Sequence, residues 1–164
     1  AGAQVFTTAS SEAKLQRCRE LGADITINYK EESFAARVAE ATDGQGVNLV
    51  LDFVGAPYWN DNLAALGIDG RLALIGFLGG SRGQLDLGPL MNKRITVFST
   101  TLRRTPLPQK IALTEAFSAF AQSRLESGEL RPVIDSVLPL AQAAEAHRLM
   151  ESNSTIGKIV LTVE

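Results

Sequence analysis

The chain has 164 residues, 45% of them hydrophobic and 21% charged, with a formal net charge of -2. That length carries a domain with a real core, and the composition is that of an ordinary globular protein. Without a basic run, an apolar stretch of about 18 residues or a charged start before an apolar centre, the sequence argues against nucleic-acid binding, membrane spans and a signal peptide. A cytoplasmic location is the expectation.

The first half alternates between strand and helix patterns. AQVFTT reads as a strand and SSEAKLQRCRELG as a helix, with Ser10 placed to cap it, Glu12 in its first turn, Leu15 and Cys18 on one face and Gly22 as its stop. ADITIN is a second strand and EESFAARVAEAT a second helix. GVNLVLDFVG is almost continuously apolar from Val47 to Val54, the pattern of a strand covered on both faces. YWNDNLAALGIDG reads as a helix ended by glycine and RLALIGF as another buried strand. LGGSRG is a loop, GPLMNK a short helical turn and ITVFSTTL a β-branched strand. A long amphipathic helix is expected over about residues 107–127, then a strand in VIDSVLPL that turns at Pro139. AQAAEAHRLMES is helical, and GKIVLTV closes the chain as a strand.

This alternation predicts an α/β fold: a Rossmann-like, mostly parallel sheet with helices on both faces. Ligands in such sheets lie beyond the C-terminal ends of the strands. The opening AGAQV resembles the tail of a helix entering a strand, so the first strand and the glycine-rich turn of a Rossmann unit are expected to be lacking.

The strand ends carry the candidate chemistry. The first ends in Thr8, Ala9, Ser10 and Ser11, with no acid, and Lys14 follows one helical turn later. NAD calls for an acid at such a tip, whereas the 2′-phosphate of NADP calls for small residues and a cation. Serine hydroxyls and helix N-terminal N–H groups receive phosphate, but a serine cap followed by a solvated lysine gives the same letters. Tyr29 is either an adenine or phosphate contact or a boundary tyrosine. Asp52, in an apolar strand, either caps neighbouring backbone N–H groups or titrates in catalysis. Gly76–Gly80, with Phe77 among them, either approaches a planar ring or simply connects a strand to a loop. Arg103 and Arg104 are either phosphate contacts or a solvated pair. The only cysteine, Cys18, and the only histidine, His147, exclude an internal disulfide and make a Cys/His zinc site or a Ser-His-Asp triad a poor fit.

Taken in order, TASSEAKLQ, LGAD with INYKEESF, GVNLVLDFVGAPYW, LGIDGRLALIGFLGG, STTLRRTP and AHRLMESNSTIGKIVLTV resemble the C-terminal half of the zinc-independent quinone oxidoreductases of the medium-chain dehydrogenase/reductase superfamily. The resemblance covers essentially the whole chain. It implies NADPH as cofactor and hydride transfer to a quinone or another α,β-unsaturated carbonyl. It implies that Ser10, Ser11 and Lys14 belong to the 2′-phosphate site and Tyr29 to the adenosine-phosphate region. Val54 and Gly55 match the wall beside the cofactor ribose, Phe77, Leu78 and Gly79 the nicotinamide end, and Asn153 a position that reaches the cofactor phosphates. It further implies a cofactor domain over 1–130, a segment 131–164 that returns to a GroES-like catalytic domain, and a homodimer through the strand around Ile95–Thr100. No catalytic residue is assigned, and this chain alone is expected to be inactive. An enoyl-thioester or polyketide-type enoyl reductase of the same fold is the rival enzyme. A non-catalytic nucleotide-binding or oligomerisation module is the rival outside catalysis.

Overall fold

A computed structural model describes residues 2–163. Its contacts divide the chain into two units, Ala1–Arg104 and Thr105–Glu164. The first carries β1 (Phe6–Ala9), α1 (Glu12–Glu20), β2 (Ile25–Asn28), α2 (Phe34–Ala41), β3 (Val47–Asp52), α3 (Trp59–Ala65), β4 (Leu66–Leu74), α4 (Gly88–Asn92) and β5 (Thr96–Ser99). The second carries α5 (Leu107–Glu126), β6 (Ile134–Pro139), α6 (Ala143–Glu151) and β7 (Lys158–Thr162). Every strand pair is parallel, as the βαβ alternation requires.

The expected single sheet is in three pieces. β1 pairs with β2, β3–β4–β5 form a second sheet, and β6 pairs with β7 in the other unit. Among the described residues no strand lies between β1 and β3. In the doubly wound order 3-2-1-4-5-6 the first strand separates the second from the fourth. With β1 and β2 as the second and third strands, and β3 to β5 as the fourth to sixth, this is the place where pairing stops.

The two sheets of the first unit run the same way. Phe6, Ile25 and Val47, at the starts of β1, β2 and β3, pack around Ile27, Ala35, Val38 and Ala65. At the other end, Tyr29 just past β2 meets Tyr58 beyond β3, ring centroids 6.4 Å apart and edge to face. A second core of Leu63, Leu66 and Leu72 joins α3 to β4 and gathers Val47, Val50 and Val97. Lys93 closes α3: its ammonium donates to the carbonyls of Leu63 (2.9 Å), Ala64 (3.0 Å) and Leu66 (2.6 Å). These are carbonyls that a helix end leaves without intrahelical partners, and a cation suits that end of the dipole.

Several expectations change. The cap of α1 is Ser11 rather than Ser10, in an extended conformation and without a side-chain capping bond. α3 ends at Ala65, and GIDG belongs to β4 rather than stopping the helix. Gly67 allows this because a Cβ there would lie 2.3 Å from the Gln45 carbonyl oxygen. Beyond the register shift after Val47, β3 is covered on one face only: Val50 and Asp52 turn inward, whereas Leu49, Leu51 and Phe53 are exposed. Side chains alternate along a strand, and among the described residues no element covers the second row. On α5 only Ala121 is buried, while Ile111, Leu113, Phe117 and Phe120 are exposed, so the amphipathic pattern has no buried stripe to match it.

Candidate functional site

The loops that leave β3 and β4 are joined backbone to backbone. The N–H groups of Leu78 and Gly79 donate to the carbonyls of Phe53 (3.0 Å) and Val54 (2.9 Å), and the Ala56 N–H donates to Gly80 (2.9 Å). Gly55 and Gly80 form a parallel bridge. Gly55 stands at φ +93, and a Cβ there would lie 2.5 Å from the Gly80 carbonyl oxygen. A Cβ on Gly79 would press on Val54 Cγ1 at 2.8 Å. Glycine is required at both positions by close approach, and at Gly55 by its backbone angle as well.

Asp52 anchors this junction from within. It is 4% exposed, and its carboxylate accepts from the N–H groups of Val54 (2.7 Å) and Gly55 (3.1 and 3.2 Å). Of the two readings open in the sequence, the structure has the cap: the charge is met by oriented amides. Val54, Gly55, Phe77, Leu78 and Gly79 therefore come together as one rim, with Phe77 and Leu78 presenting exposed side chains.

Ser10, Ser11 and Lys14 sit at the other sheet, at the β1 tip and the first turn of α1. Glu12, the one acid in that turn, is turned to Arg19, whose guanidinium donates to it at 2.6 Å. That hydrogen bond holds the Glu12 carboxyl below the usual carboxylate range. The turn thus offers small hydroxyl residues, a lysine and a neutralised acid at the positive end of a helix. Tyr29 stands between the two groups, its N–H bonded to Ala9 (3.3 Å) and its ring against Tyr58. Asn153 belongs to the second unit, just past α6, at φ +56 with its N–H on the Met150 carbonyl (3.3 Å).

Sequence reasoning passed over Tyr58 and Asn62. Tyr58 packs on Phe34 at 5.4 Å as well as on Tyr29. Burial, then the charges of Tyr29, Asp61 and Asp52, push its hydroxyl above the usual tyrosine value. Asn62 is 3% exposed, with its amide nitrogen buried and without a hydrogen-bond partner. Nothing in YWNDN marks either residue, because both roles arise from neighbours distant in sequence.

The family model described as zinc-binding dehydrogenase matches residues 21–161. The chain belongs to this family. A quinone oxidoreductase from Pseudomonas aeruginosa is 33% identical over 163 residues, covering 98% of this chain and 49% of that protein. Its presence among the relatives agrees with the resemblance read from the sequence. A crystal structure of an NAD-dependent alcohol dehydrogenase superposes with a TM-score of 0.83 at 34% identity, over 99% of this chain and 45% of that one. A mycobacterial protein complexed with NADPH superposes at 0.78 with 32% identity, over 99% and 50%. The chain spans about half the length of the curated relatives it matches. Among the described residues no three His, Cys, Asp or Glu side chains gather in a way that could hold a metal ion.

Proposed function

We propose that this chain is the NADPH-binding part of an oxidoreductase that reduces quinones or other α,β-unsaturated carbonyls. The β1 tip carries the reading. Its solved neighbours include both an NAD-dependent enzyme and a protein complexed with NADPH, so the local residues must choose. An acid at this tip would hold ribose hydroxyls and repel a 2′-phosphate. Here Ser10 and Ser11 stand in its place, Lys14 adds a positive charge, and Arg19 neutralises Glu12. The quinone oxidoreductase relative supports the substrate class.

In this reading Ser10, Ser11 and Lys14 hold the 2′-phosphate, and Tyr29 lines the adenosine side. Val54, Gly55 and Gly79 let the cofactor lie against bare backbone, a cradle that a Cβ at Gly55 or Gly79 would fill. Phe77 and Leu78 shield the nicotinamide end from water. Bound NADPH supplies the hydride. The chain's own residues orient the cofactor and exclude water, and none of them is assigned to proton transfer. The outer edge of β5 has no partner strand among the described residues, which supports the homodimer through Ile95–Thr100.

Titration calorimetry with NADPH and NADH on the chain and on Lys14→Ala tests the reading. A loss of about tenfold to a hundredfold in NADPH affinity, with NADH unchanged, is expected from one charge-assisted contact. Equal affinity for both cofactors, indifferent to Lys14→Ala, overturns it. In the longer protein, turnover of acyl thioesters but not quinones would favour the enoyl reductase, and cofactor binding without any turnover a non-catalytic module.

A further inference from the structure

Glu12 is the acidic residue of the first turn of α1, and it opens the helix directly after the Ser11 cap. A carboxylate at that place is drawn to the positive end of the helix dipole, the end that an incoming phosphate also needs. Left there it would take the anion position and repel a second negative group. Lys14 lies on the other side of the helix, since two residues of helical rotation place the pair about 200° apart.

Arg19 draws the acid away from that end. Seven residues return to the same helix face two turns on, about 10 Å along the axis. The arginine side chain leans back toward the helix N-terminus, and its guanidinium donates to Glu12 Oε1 at 2.6 Å. The same Nη1 donates to Gln16 Oε1 at 3.0 Å, so the carboxylate is held beside the second turn rather than over the first. Nε donates to Thr26 Oγ1, on β2, at 3.0 Å. The guanidinium is thus fixed by its own helix and by the neighbouring strand together, which a lone surface ion pair is not. Donation from several nitrogens in one planar fork is what arginine offers and lysine does not.

We propose that Arg19 is a specificity-determining positioning residue: it draws the Glu12 carboxylate along α1 and leaves the helix N-terminus, with Ser10, Ser11 and Lys14, to the 2′-phosphate of NADPH. Arg19 touches no part of the cofactor in this role and acts through Glu12. Without it the acid returns to the first turn, and the tip behaves more as one that prefers NADH. The inference rests on the cofactor reading above and adds the residue that makes an acid in the first turn compatible with a phosphate.

Titration calorimetry with NADPH and NADH, which differ only in the 2′-phosphate, tests it on the 164-residue chain at low ionic strength. Arg19→Met keeps the aliphatic stem. It is expected to weaken NADPH binding by about twofold to fivefold, the range of an exposed charge pair, with NADH unchanged. Adding Glu12→Gln to it is expected to restore the parent affinity, since the double variant has the parent's formal charge and no acid to repel the phosphate. Should Arg19→Met fail to fold, Thr26→Val, which removes one of the three anchors, is expected to shift the NADPH to NADH ratio the same way by less. An unchanged ratio in whichever of these folds overturns the inference. So does a loss that Glu12→Gln does not restore, because Arg19 would then be meeting the phosphate itself. Lys14→Ala separates this role from the cofactor reading. Selective loss of NADPH there, beside an unchanged ratio in Arg19→Met, refutes the role of Arg19 alone, whereas indifference to Lys14→Ala refutes both.

Discussion

The Asp52 carboxylate and the Gly55 N–H are joined by two contacts, 3.1 Å to Oδ1 and 3.2 Å to Oδ2, inside the turn that ends β3. One buried acid thereby holds the turn that meets Gly80. Asp52→Ala leaves the Val54 and Gly55 N–H groups without their acceptor. Urea denaturation is expected to show a loss of about 1–3 kcal/mol. Asp52→Asn, which keeps one acceptor oxygen, is expected to lose less.

Gly55→Ala places a methyl group 2.5 Å from the Gly80 carbonyl oxygen at a backbone angle that L-residues rarely adopt. The β3 and β4 loops must part. A stability loss of about 1–3 kcal/mol is expected by thermal or urea unfolding. Gly2→Ala, also at positive φ but with open space around its Cβ, is the control for backbone angle alone.

Lys93→Met keeps the aliphatic stem and removes three donations to the end of α3. The expected loss is about 1.5–3 kcal/mol, the range for a hydrogen bond to a charged group. Lys93→Arg is expected to recover part of it, since a guanidinium donates but in a different geometry.

Tyr58 is one of two tyrosines in the chain, so its ionisation is separable by difference absorbance. Burial raises its folded value above the ordinary 10.0. A raised value means that the protonated hydroxyl is favoured in the fold. The corresponding stability is full below the unfolded value and is lost as pH rises from there through the folded one. Tyr58→Phe is expected to abolish the high-pH step in absorbance and to flatten the alkaline fall in stability.

The order of strands and helices was legible because each carries its own period and its own punctuation. The apolar period of α2, the β-branched run of β5 and the β1 tip can all be read from neighbours a few residues apart. Asp52 was legible as a choice between two roles, and only the positions of the Val54 and Gly55 amides decide it. The start of β4 was not legible. Gly67 reads as a helix stop, and its actual use, close passage beside Gln45, depends on a segment about twenty residues away. Nor was the bare row on β3, since an apolar run states that cover is wanted and not whether it is present. Tyr58 and Asn62 acquire meaning only in the folded chain, from Tyr29 and from burial.

The clasp between the β3 and β4 loops is written entirely in main-chain atoms: Phe53 with Leu78, Val54 with Gly79, Ala56 with Gly80. Such a joint is indifferent to what the side chain at 78 is, and Leu78 is 89% exposed, whereas the Phe77 ring lies over Gly55. Position 78 is therefore free to drift while the frame that presents it stays fixed. Descendants of this chain can exchange one exposed group for another there, and acquire a different preference at the rim, without renegotiating the fold.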